Sequence, residues 1–459
     1  MPARKPTPQT PDEAGVSETL ARYVVESRLA DIPDDVKHEA RRALLNYVGC
    51  AIGGAGEEGV EIAMRVIGPF SGERTSAVLG RRERLDPLNA SLINGLSSHY
   101  HDYDDTTPKN YSHTTSPVAS ALFAYASANA VSGQDLFEAF ILGFEAASRV
   151  GNSVYPGHYD TGWHITGTIG VIGAAVAIGR LRGLPLRNMI WAIGTATTQS
   201  AGLREQFGSM GKPFHPGRSA QSGYLAALLA EQGFTSGNYP IESPRGFAAV
   251  LSPSHDFSKI TDGLGVDFDL RENTYKPYAS GIVIHPTIDA CSQIRAAHGL
   301  DLTDVESVQL TVAPIVLDLC NKKFIATGLE GKFSVYHAAA IGLVRGQGRL
   351  GEFTDETVND PEIRRIREST HAERDASLED DAVIVEVRRK SGEPIRLSLD
   401  HALGNIHRPL SDAQLEDKFR DQARQHLTDG QIDDLIGLCW QVDTLDRAGR
   451  IAEAAVPKG

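Results

Sequence analysis

Apolar residues recur at helical spacing through most of the first half of the chain, from about Ser17 to Ile260. The clearest segment runs from Pro33 to Ala51, where Asp34 and Asp35 occupy a first turn in which the helix dipole favours negative charge. The same periodicity predicts further helices over residues 86–98, 117–130, 134–150, 166–180, 185–200 and 218–232. Many of these segments are rich in Ala and Gly, whose small side chains let helices approach closely. The pattern predicts a helical bundle with a largely dry interior.

The pattern changes near Phe268, where alternating apolar and polar positions with β-branched residues indicate strands. The predicted elements are strands at 305–312, 382–388 and 395–399 and helices at 286–298 and 335–345. Ser391 and Gly392 lie between the last two strands, so they predict a β-hairpin. From Ser411 onward the pattern is helical again and begins with a capping sequence.

These changes divide the chain into predicted parts. They are a disordered tail (1–15), a helical domain (16–267), a smaller α+β domain (268–404) and a C-terminal helical segment (405–459). We expect the last segment to return to the helical domain. The predicted fold class is therefore mostly α, with a large helical bundle and a smaller α+β domain.

Composition and charge narrow the classes of function. The chain has 45 Lys and Arg against 59 Asp and Glu, a formal charge of −14, so it would repel a phosphate backbone and no nucleic-acid partner is expected. The longest apolar stretch, from Gly167 to Gly179, is too short and too rich in glycine to span a bilayer. The start of the chain is polar and lacks the apolar core of a signal peptide. We expect a cytoplasmic protein without a membrane partner.

The densest group of polar residues runs from His99 to Thr106 (HYHDYDDT) and is followed by His113. An Asp beside a His can orient the imidazole and shift its pKa, as general acid–base catalysis requires. A single Asp or His here would more often belong to a solvated helix end, but the whole cluster indicates a functional site. His and Asp are also metal ligands, yet neither HExxH nor a 2-His-1-carboxylate spacing occurs, so no metal site is predicted.

Two further segments place a basic residue near a predicted helix start. His164 lies between glycines in GWHITGT, where it could lie beside a bound carboxylate or simply cap its own helix. Lys212 and Arg218 lie in the Gly- and Pro-rich segment GSMGKPFHPGRSA, which predicts an anion-binding loop ahead of a helix that begins at Arg218. The alternative for this segment is an ordinary surface loop with solvated charges.

Two more segments lie in the second half of the chain. Lys276 lies in YKPY, where the two patterns meet, and domain junctions are common ligand sites, although a lone lysine would normally be at the surface. Tyr336 and His337 follow EGKFSV at a helix entry, where they could donate protons or only satisfy backbone groups. No Gly-x-Ser-x-Gly elbow occurs, so a serine hydrolase is not expected.

Taken together, these segments resemble the MmgE/PrpD family. The matching motifs, from about residue 20 to 420, are HDYDDT with a following His, GWHITGT, GSMGKPFHPGRSA, YKPY followed by HPTIDA, and EGKFS before a helix. The resemblance implies a helical domain with an α+β lid, a homodimer, and an active site between the domains that uses no metal or organic cofactor. Two positions depart from the family pattern: Gly281 stands where many members carry Cys or His, and His337 stands near the expected Tyr.

The resemblance also implies which residues act, and the positions that match the family's site are Asp102, Thr106, His113, His164, Lys212 and Lys276. We expect the catalytic residues to be Asp102, His113, His164 and Lys212. We expect the residues that contact the substrate to be Thr106, Lys276, Arg218, Tyr336 and His337. In this hypothesis Asp102 orients His113, the first candidate for acid–base catalysis, and His164 is the second proton carrier.

The family's reactions share a carbanion-like centre next to a carboxylate, which requires cationic groups on the carboxylate and an acid or base at carbon. The resemblance thus implies a cofactor-independent lyase on a small di- or tricarboxylate, with a dehydration like that of 2-methylcitrate dehydratase as the leading expectation. The alternatives are an isomerase or epimerase, a decarboxylase, and a carboxylate-binding protein without activity. Because the chain is acidic, it must concentrate positive charge locally, and Lys212, Arg218 and Lys276 are the expected sources.

Overall fold

The structure is a computed structural model that describes residues 15–458. The predicted disordered tail lies outside these residues, apart from Gly15. The helices of the first half are α1 (Val16–Glu26), α2 (Asp34–Gly53), α3 (Glu58–Ile67), α4 (Pro87–Tyr100), α5 (Thr115–Ala128), α6 (Gly133–Val154), α7 (Gly157–Thr161), α8 (Ile165–Leu181), α9 (Leu186–Thr197), α10 (Gly211–Glu231), α11 (Phe247–Leu251) and α12 (Ser258–Thr261), with a short pair of strands, β1 (Ser76–Ala77) and β2 (Arg84–Leu85). Among the helices of residues 15–458, none is both long and apolar enough to cross a membrane.

One boundary differs from the prediction in a way that matters for the site. Helix α10 begins at Gly211 and not at Arg218, so the predicted anion-binding loop is wrong for most of its length. Pro213 lies in the first turn, where its missing N–H would have had no partner within the helix, and Pro216 lies farther inside. The two prolines and the neighbouring glycines concealed a helix that carries Lys212 in its first turn.

Close backbone packing fixes α10 against α4. Helix α8 packs against α5, α6, α9 and α10, and α10 also packs along α4. A Cβ atom on Gly95 of α4 would lie only 2.5 Å from the Cα atom of Gly217 in α10, so glycine at both positions lets the two backbones touch. The small residues of the bundle thus let helices approach closely, as predicted. Helix α4, which leads into the polar cluster, and helix α10, which carries Lys212, are held at a fixed spacing.

The second half forms a mixed sheet with helices. Its elements are α13 (His285–His298), β3 (Val305–Val312), α14 (Pro314–Leu319), α15 (Gly328–Gly331), α16 (Val335–Arg345), α17 (Asp355–Val358), α18 (Pro361–Glu368), β4 (Thr370–Arg374), β5 (Val383–Arg389) and β6 (Ile395–Leu399). The sheet order is β4-β3-β5-β6, in which β4 runs parallel to β3 and the other neighbours are antiparallel. The predicted hairpin is β5–β6, whereas β4 was not predicted. Its sequence, THAER, is mostly polar because β4 is an edge strand with only Thr370 buried.

One face of this sheet carries the second hydrophobic core. Buried and more exposed residues alternate along β3 and β5, as expected for a sheet covered on one face. Helix α13 packs on β5 and β6, and α16 packs on α13 and β4. The fold is mostly helical with a smaller α+β part, in agreement with the predicted class.

The C-terminal helices are α19 (Asp412–Ala423), α20 (Asp429–Trp440) and α21 (Gly449–Ala454). The predicted capping sequence is a capping box, since the Ser411 side chain accepts from the Gln414 backbone and Gln414 accepts from the Ser411 backbone. Helices α19 and α20 pack on α2, and α21 packs on α5. The chain therefore brings residues from beyond the sheet back to the first helices.

Candidate active site

The polar cluster lies in a buried turn that follows α4. The backbone of Asp102 is in the left-handed region, with φ of 51°, and the carboxylates of Asp102, Asp104 and Asp105 are all buried. A non-glycine backbone in this region costs about 1–3 kcal/mol, and it persists only where the surrounding structure holds it in place. The surroundings of this turn are therefore expected to hold it firmly.

Three buried lysines hold three consecutive backbone carbonyls of this turn, and we call this arrangement the lysine clamp. The bonds run from Lys332 Nζ to the His101 oxygen at 2.8 Å, from Lys276 Nζ to the Asp102 oxygen at 3.1 Å and from Lys418 Nζ to the Tyr103 oxygen at 2.6 Å. Burial lowers the pKa of Lys332 to about 7 and that of Lys418 to about 8. The lysines come from distant parts of the chain, so the turn is shaped by tertiary contacts.

The Asp102 carboxylate joins two of the predicted lysines. Its Oδ1 accepts from Lys212 Nζ at 2.6 Å and from Lys276 Nζ at 2.8 Å. Burial alone would raise the pKa of Asp102, but the two ammonium groups outweigh burial and hold that pKa well below its usual range. Burial lowers the pKa of Lys212, although Asp102 opposes this shift. Two ammonium groups and one carboxylate leave a net positive charge at this point.

His113 is held by a backbone carbonyl and not, as predicted, by Asp102. Its Nδ1 bonds the Asp105 oxygen at 2.9 Å, whereas its Nε2 is 3.8 Å from Asp102 Oδ1, beyond hydrogen-bond distance. Because a carbonyl oxygen only accepts, Nδ1 carries the proton and Nε2 keeps a lone pair. Burial lowers the pKa of His113 well below its usual range, so the imidazole is neutral.

Two more buried imidazoles lie beside His113. His99 Nδ1 bonds the Asp104 carboxylate at 2.9 Å, and His164 Nδ1 bonds His215 Nδ1 at 2.8 Å. The ring centres of His99 and His113 are 4.5 Å apart. Burial lowers the pKa of His99 and of His164 well below the usual range. His99 Nε2 is buried and has no hydrogen-bond partner among residues 15–458.

The imidazole cluster has donor types that bind transition metals. His99, His113 and His164 bring one ring nitrogen each within 4.8 Å of one another. The Lys212 ammonium group acts on all three and contributes to their lowered pKa values. The carboxylates of Asp102 and Asp104 lie within the same distance of His99 and His113, so lysine cations and carboxylates both act on these imidazoles. In the structure the imidazoles make hydrogen bonds within the protein.

Six of the nine predicted residues line a small cavity, which we call the catalytic cavity, with about 420 Å³ of empty space, open solvent included. Its polar lining is Asp102, Thr106, Tyr111, His113, Tyr159, His164, Lys212 and Lys276. Its other lining is Phe207, Gly281, Ile282, Val283, Leu319, Cys320 and Phe333. The cavity thus has a charged side and an apolar side, and the six residues that match the family's site all reach it.

Three predicted contact residues do not line this cavity. Arg218 is exposed on α10 and bonds Gln221. Tyr336 donates to Asn321 at 2.7 Å, and His337 Nε2 bonds the backbone oxygen of Glu352 at 2.9 Å. The structure therefore corrects the prediction for Arg218, Tyr336 and His337, whose side chains serve local structure.

Sequence reasoning also missed residues of the site. His99 and Lys332 lie inside the motifs HYHDYDDT and EGKFS, so a signal for both was present. Phe207 and Phe333 place their ring centres 5.2 Å from Lys212 Nζ and 5.5 Å from each other, so both rings make a cation–π contact with the same side of the ammonium group. Lys418 lies in an amphipathic helix with no local feature that indicates a role.

Comparison with known proteins gives concordant results. The family model of the MmgE/PrpD N-terminal domain matches residues 18–260, and that of the MmgE/PrpD C-terminal domain matches residues 278–442. The cis-aconitate decarboxylase of Aspergillus terreus is 25% identical over 462 residues, which cover 94% of each chain. The cis-aconitate decarboxylases of Mus musculus and Homo sapiens are each 24% identical over 94% of this chain and over 91% and 92% of their own lengths, respectively.

Proposed function

Because the chain belongs to the MmgE/PrpD family, as its motifs predicted, we propose that it is a lyase that acts on a small di- or tricarboxylate. The proposal covers acid–base chemistry at a carbon next to a carboxylate, performed by side chains alone. The observation that carries it is the pairing, in one buried cavity, of two lysine ammonium groups with a neutral imidazole that has a free ring nitrogen.

The lysines provide the binding part of this mechanism. Lys212 and Lys276 face the cavity while both contact one oxygen of Asp102. The positive charge that remains on this trio attracts a carboxylate, and the low-dielectric surroundings strengthen that attraction. Negative charge that develops on a substrate carboxylate during carbanion formation would be stabilised by the same ammonium groups. Thr106 supplies a hydroxyl group to a substrate oxygen.

His113 provides the proton-transfer part. Its free Nε2 can remove a proton from the carbon next to the carboxylate, and the resulting imidazolium keeps its bond to the Asp105 carbonyl. A bound polyanion adds negative charge beside the cavity, which raises the pKa of His113 and of His164 and stabilises their protonated forms. His164, whose ring centre lies 6.4 Å from that of His113, is the second proton carrier.

Decarboxylation is the reaction that the relatives favour. In that reaction the carbon–carbon bond to one carboxylate breaks, CO2 leaves, and the bonding electrons stay on carbon until an imidazolium donates a proton. The apolar part of the cavity lining assists this step because it offers few water-binding groups to the carboxylate that is lost. The names of the three relatives reported above, each a cis-aconitate decarboxylase, support this assignment for a chain that is 24% to 25% identical to them.

Dehydration is the second candidate, and the tautomer of His113 favours it. A neutral imidazole with a free Nε2 is a base, and dehydration begins with proton removal next to a carboxylate. His113 keeps the proton that it removes, and the hydroxyl group leaves as water with a proton from protonated His164. Epimerisation would use the same base, with protonated His164 donating a proton to the opposite face of the carbon.

A panel of substrates separates these reactions. Purified protein would be incubated in D2O with cis-aconitate, citrate, 2-methylcitrate and iminodisuccinate, and the products would be identified by mass spectrometry. Loss of CO2 indicates a decarboxylase, loss of water indicates a dehydratase, and deuterium in recovered substrate without net loss indicates an epimerase. Binding measured by thermal shift without any conversion or exchange across the panel would contradict the proposed lyase function and indicate a binding protein.

A further inference from the structure

A second cavity, the outer chamber, shares part of its wall with the catalytic cavity. It contains about 900 Å³ of empty space, open solvent at its mouth included. Tyr111, Lys276, Ile282 and Val283 line both spaces. The remaining apolar lining of the outer chamber is Pro108, Pro286, Ala402, Leu403 and Ile406. The two spaces are therefore adjacent, with Lys276 at their common wall.

Most polar groups of the outer chamber already have partners in the protein. Thr274 Oγ1 donates to the Thr106 oxygen at 2.7 Å, and His285 Nε2 bonds a backbone oxygen at 3.3 Å. Asp381 accepts from His401 Nδ1 at 2.9 Å. A ligand in the chamber thus meets carbon atoms more often than free donors, which suits an apolar group.

The charges at the chamber argue against a second carboxylate there. Three consecutive acids, Glu379, Asp380 and Asp381, lie at its wall, and Asp380 accepts from the Tyr111 hydroxyl at 2.7 Å. The single ammonium group that reaches the wall, Lys276, is bonded to Asp102 and to a backbone oxygen. A carboxylate would be repelled by the acids without an available cation to compensate for them.

We propose that the outer chamber binds an apolar substituent, an alkyl chain or a hydrocarbon ring, of a carboxylate substrate whose charged end lies in the catalytic cavity. This inference rests on the proposed function, because it assumes that Lys212 and Lys276 hold the charged end. Ile282 and Val283, which line both spaces, would then lie beside the substituent where it enters the outer chamber. The substrate would carry an alkyl chain or a ring larger than the methyl group of 2-methylcitrate.

Isothermal titration of the purified full chain with succinate and with 2-alkylsuccinates from methyl to hexyl tests the inference. Each added methylene should tighten binding about fourfold, the fold-change that corresponds to ~0.8 kcal/mol per buried CH2. Affinities that stay flat or fall with chain length, while succinate still binds, would overturn the inference and leave the proposed function intact. Failure of the whole series to bind would overturn both.

A variant assigns the effect to the chamber. Ile406 is 47% exposed, so Ile406→Ser should fold, and it should reduce the ratio of succinate Kd to hexylsuccinate Kd several-fold. The matched control is Ile62→Ser, which changes a 37% exposed isoleucine of α3 that lines neither cavity and should keep the wild-type ratio. An unchanged ratio in Ile406→Ser would place the alkyl chain elsewhere and contradict the inference.

Discussion

Substituting Lys418 by Met should lower turnover strongly while it leaves the protein folded. Lys418 is a buried residue of α19, and its ammonium group donates to the Tyr103 oxygen at 2.6 Å. Methionine has a similar length and fills the same space without the charge. The variant therefore removes one member of the lysine clamp and changes little else.

The expected change in stability is small because two effects oppose each other. Burial lowers the pKa of Lys418 from 10.5 to about 8, which corresponds to a penalty of about 3 kcal/mol on the charged form, and Met removes that penalty. Loss of a hydrogen bond from a charged donor costs about 1.5–3 kcal/mol, and the Tyr103 carbonyl is left without this partner. The two terms nearly cancel, so the free energy of unfolding should change by about 1 kcal/mol or less.

The expected change in activity is larger, because the clamp fixes a strained turn. Without the bond to Tyr103, Asp102 and the lysines bonded to it lose part of their fixed geometry. A displacement of about 1 Å can reduce a rate ~100-fold, so kcat should fall 10- to 100-fold with a smaller effect on KM. Steady-state kinetics with the substrate identified by the panel, together with thermal unfolding, measure both quantities.

Lys323→Met is the matched control. Lys323 also donates to a backbone carbonyl, that of Thr370 at 2.6 Å, and lies over an aromatic ring, but it does not contact the turn. The control should retain kcat. If Lys418→Met keeps kcat within threefold of wild type, the lysine clamp does not position the catalytic residues. An equal loss of kcat in both variants would also refute the reasoning.

Three further predictions follow from the geometry of the site and the bundle. His113→Asn should lower kcat about 10²–10⁴-fold, because the Asn amide cannot accept the proton that the base removes from the substrate. The amide can still donate to the Asp105 carbonyl, so circular dichroism should stay unchanged. Normal turnover in this variant would contradict His113 as the base. Gly217→Ala should destabilise the protein by about 1–3 kcal/mol in denaturant unfolding, since its Cβ would meet the backbone of α4, whereas Gly237→Ala, with open space around it, should be close to neutral. Burial lowers the pKa of His99, His113 and His164 below the unfolded value of 6.5, so below that pH the unfolded chain binds more protons than the folded one. The Tm should therefore fall as the pH is lowered from about 7 to about 5. A Tm that stays constant over this range would contradict neutral buried imidazoles.

Much of the fold could be predicted because it follows from local periodicity. The helix over Val335–Arg345 and the strand over Val305–Val312 have the predicted bounds, since each alternates or repeats cleanly along one face. The start of α10 could not be predicted in the same way, because Pro213 and Pro216 are typical of loops and only packing against α4 explains a helix there. Strand β4 lies at a sheet edge, where most of its side chains are not buried. Its sequence therefore lacks the apolar alternation that would indicate a strand.

The site was predictable where a motif is compact and unpredictable where distant segments meet. The resemblance selected Lys212, Lys276 and Asp102 as site residues. It did not predict that both lysines bond one oxygen of Asp102, because that arrangement brings together three motifs that are distant along the chain. The orientation of His113 depends on which oxygen its Nδ1 meets, and sequence cannot distinguish a carboxylate from a backbone carbonyl in the same turn. Tyr336 was selected because it adjoins a motif, although its side chain points to Asn321.

The distance along the chain between Tyr103 and Lys418 has a consequence for the order of biosynthesis. The two residues are 315 positions apart, so at ~5–20 residues per second the ribosome makes the second about 15 to 60 s after the first. During that interval the nascent chain gains His113, His164, Lys212 and then Lys276, but it lacks the last lysine that holds the turn. The lysine clamp is therefore completed late in translation, when α19 docks on the first helices.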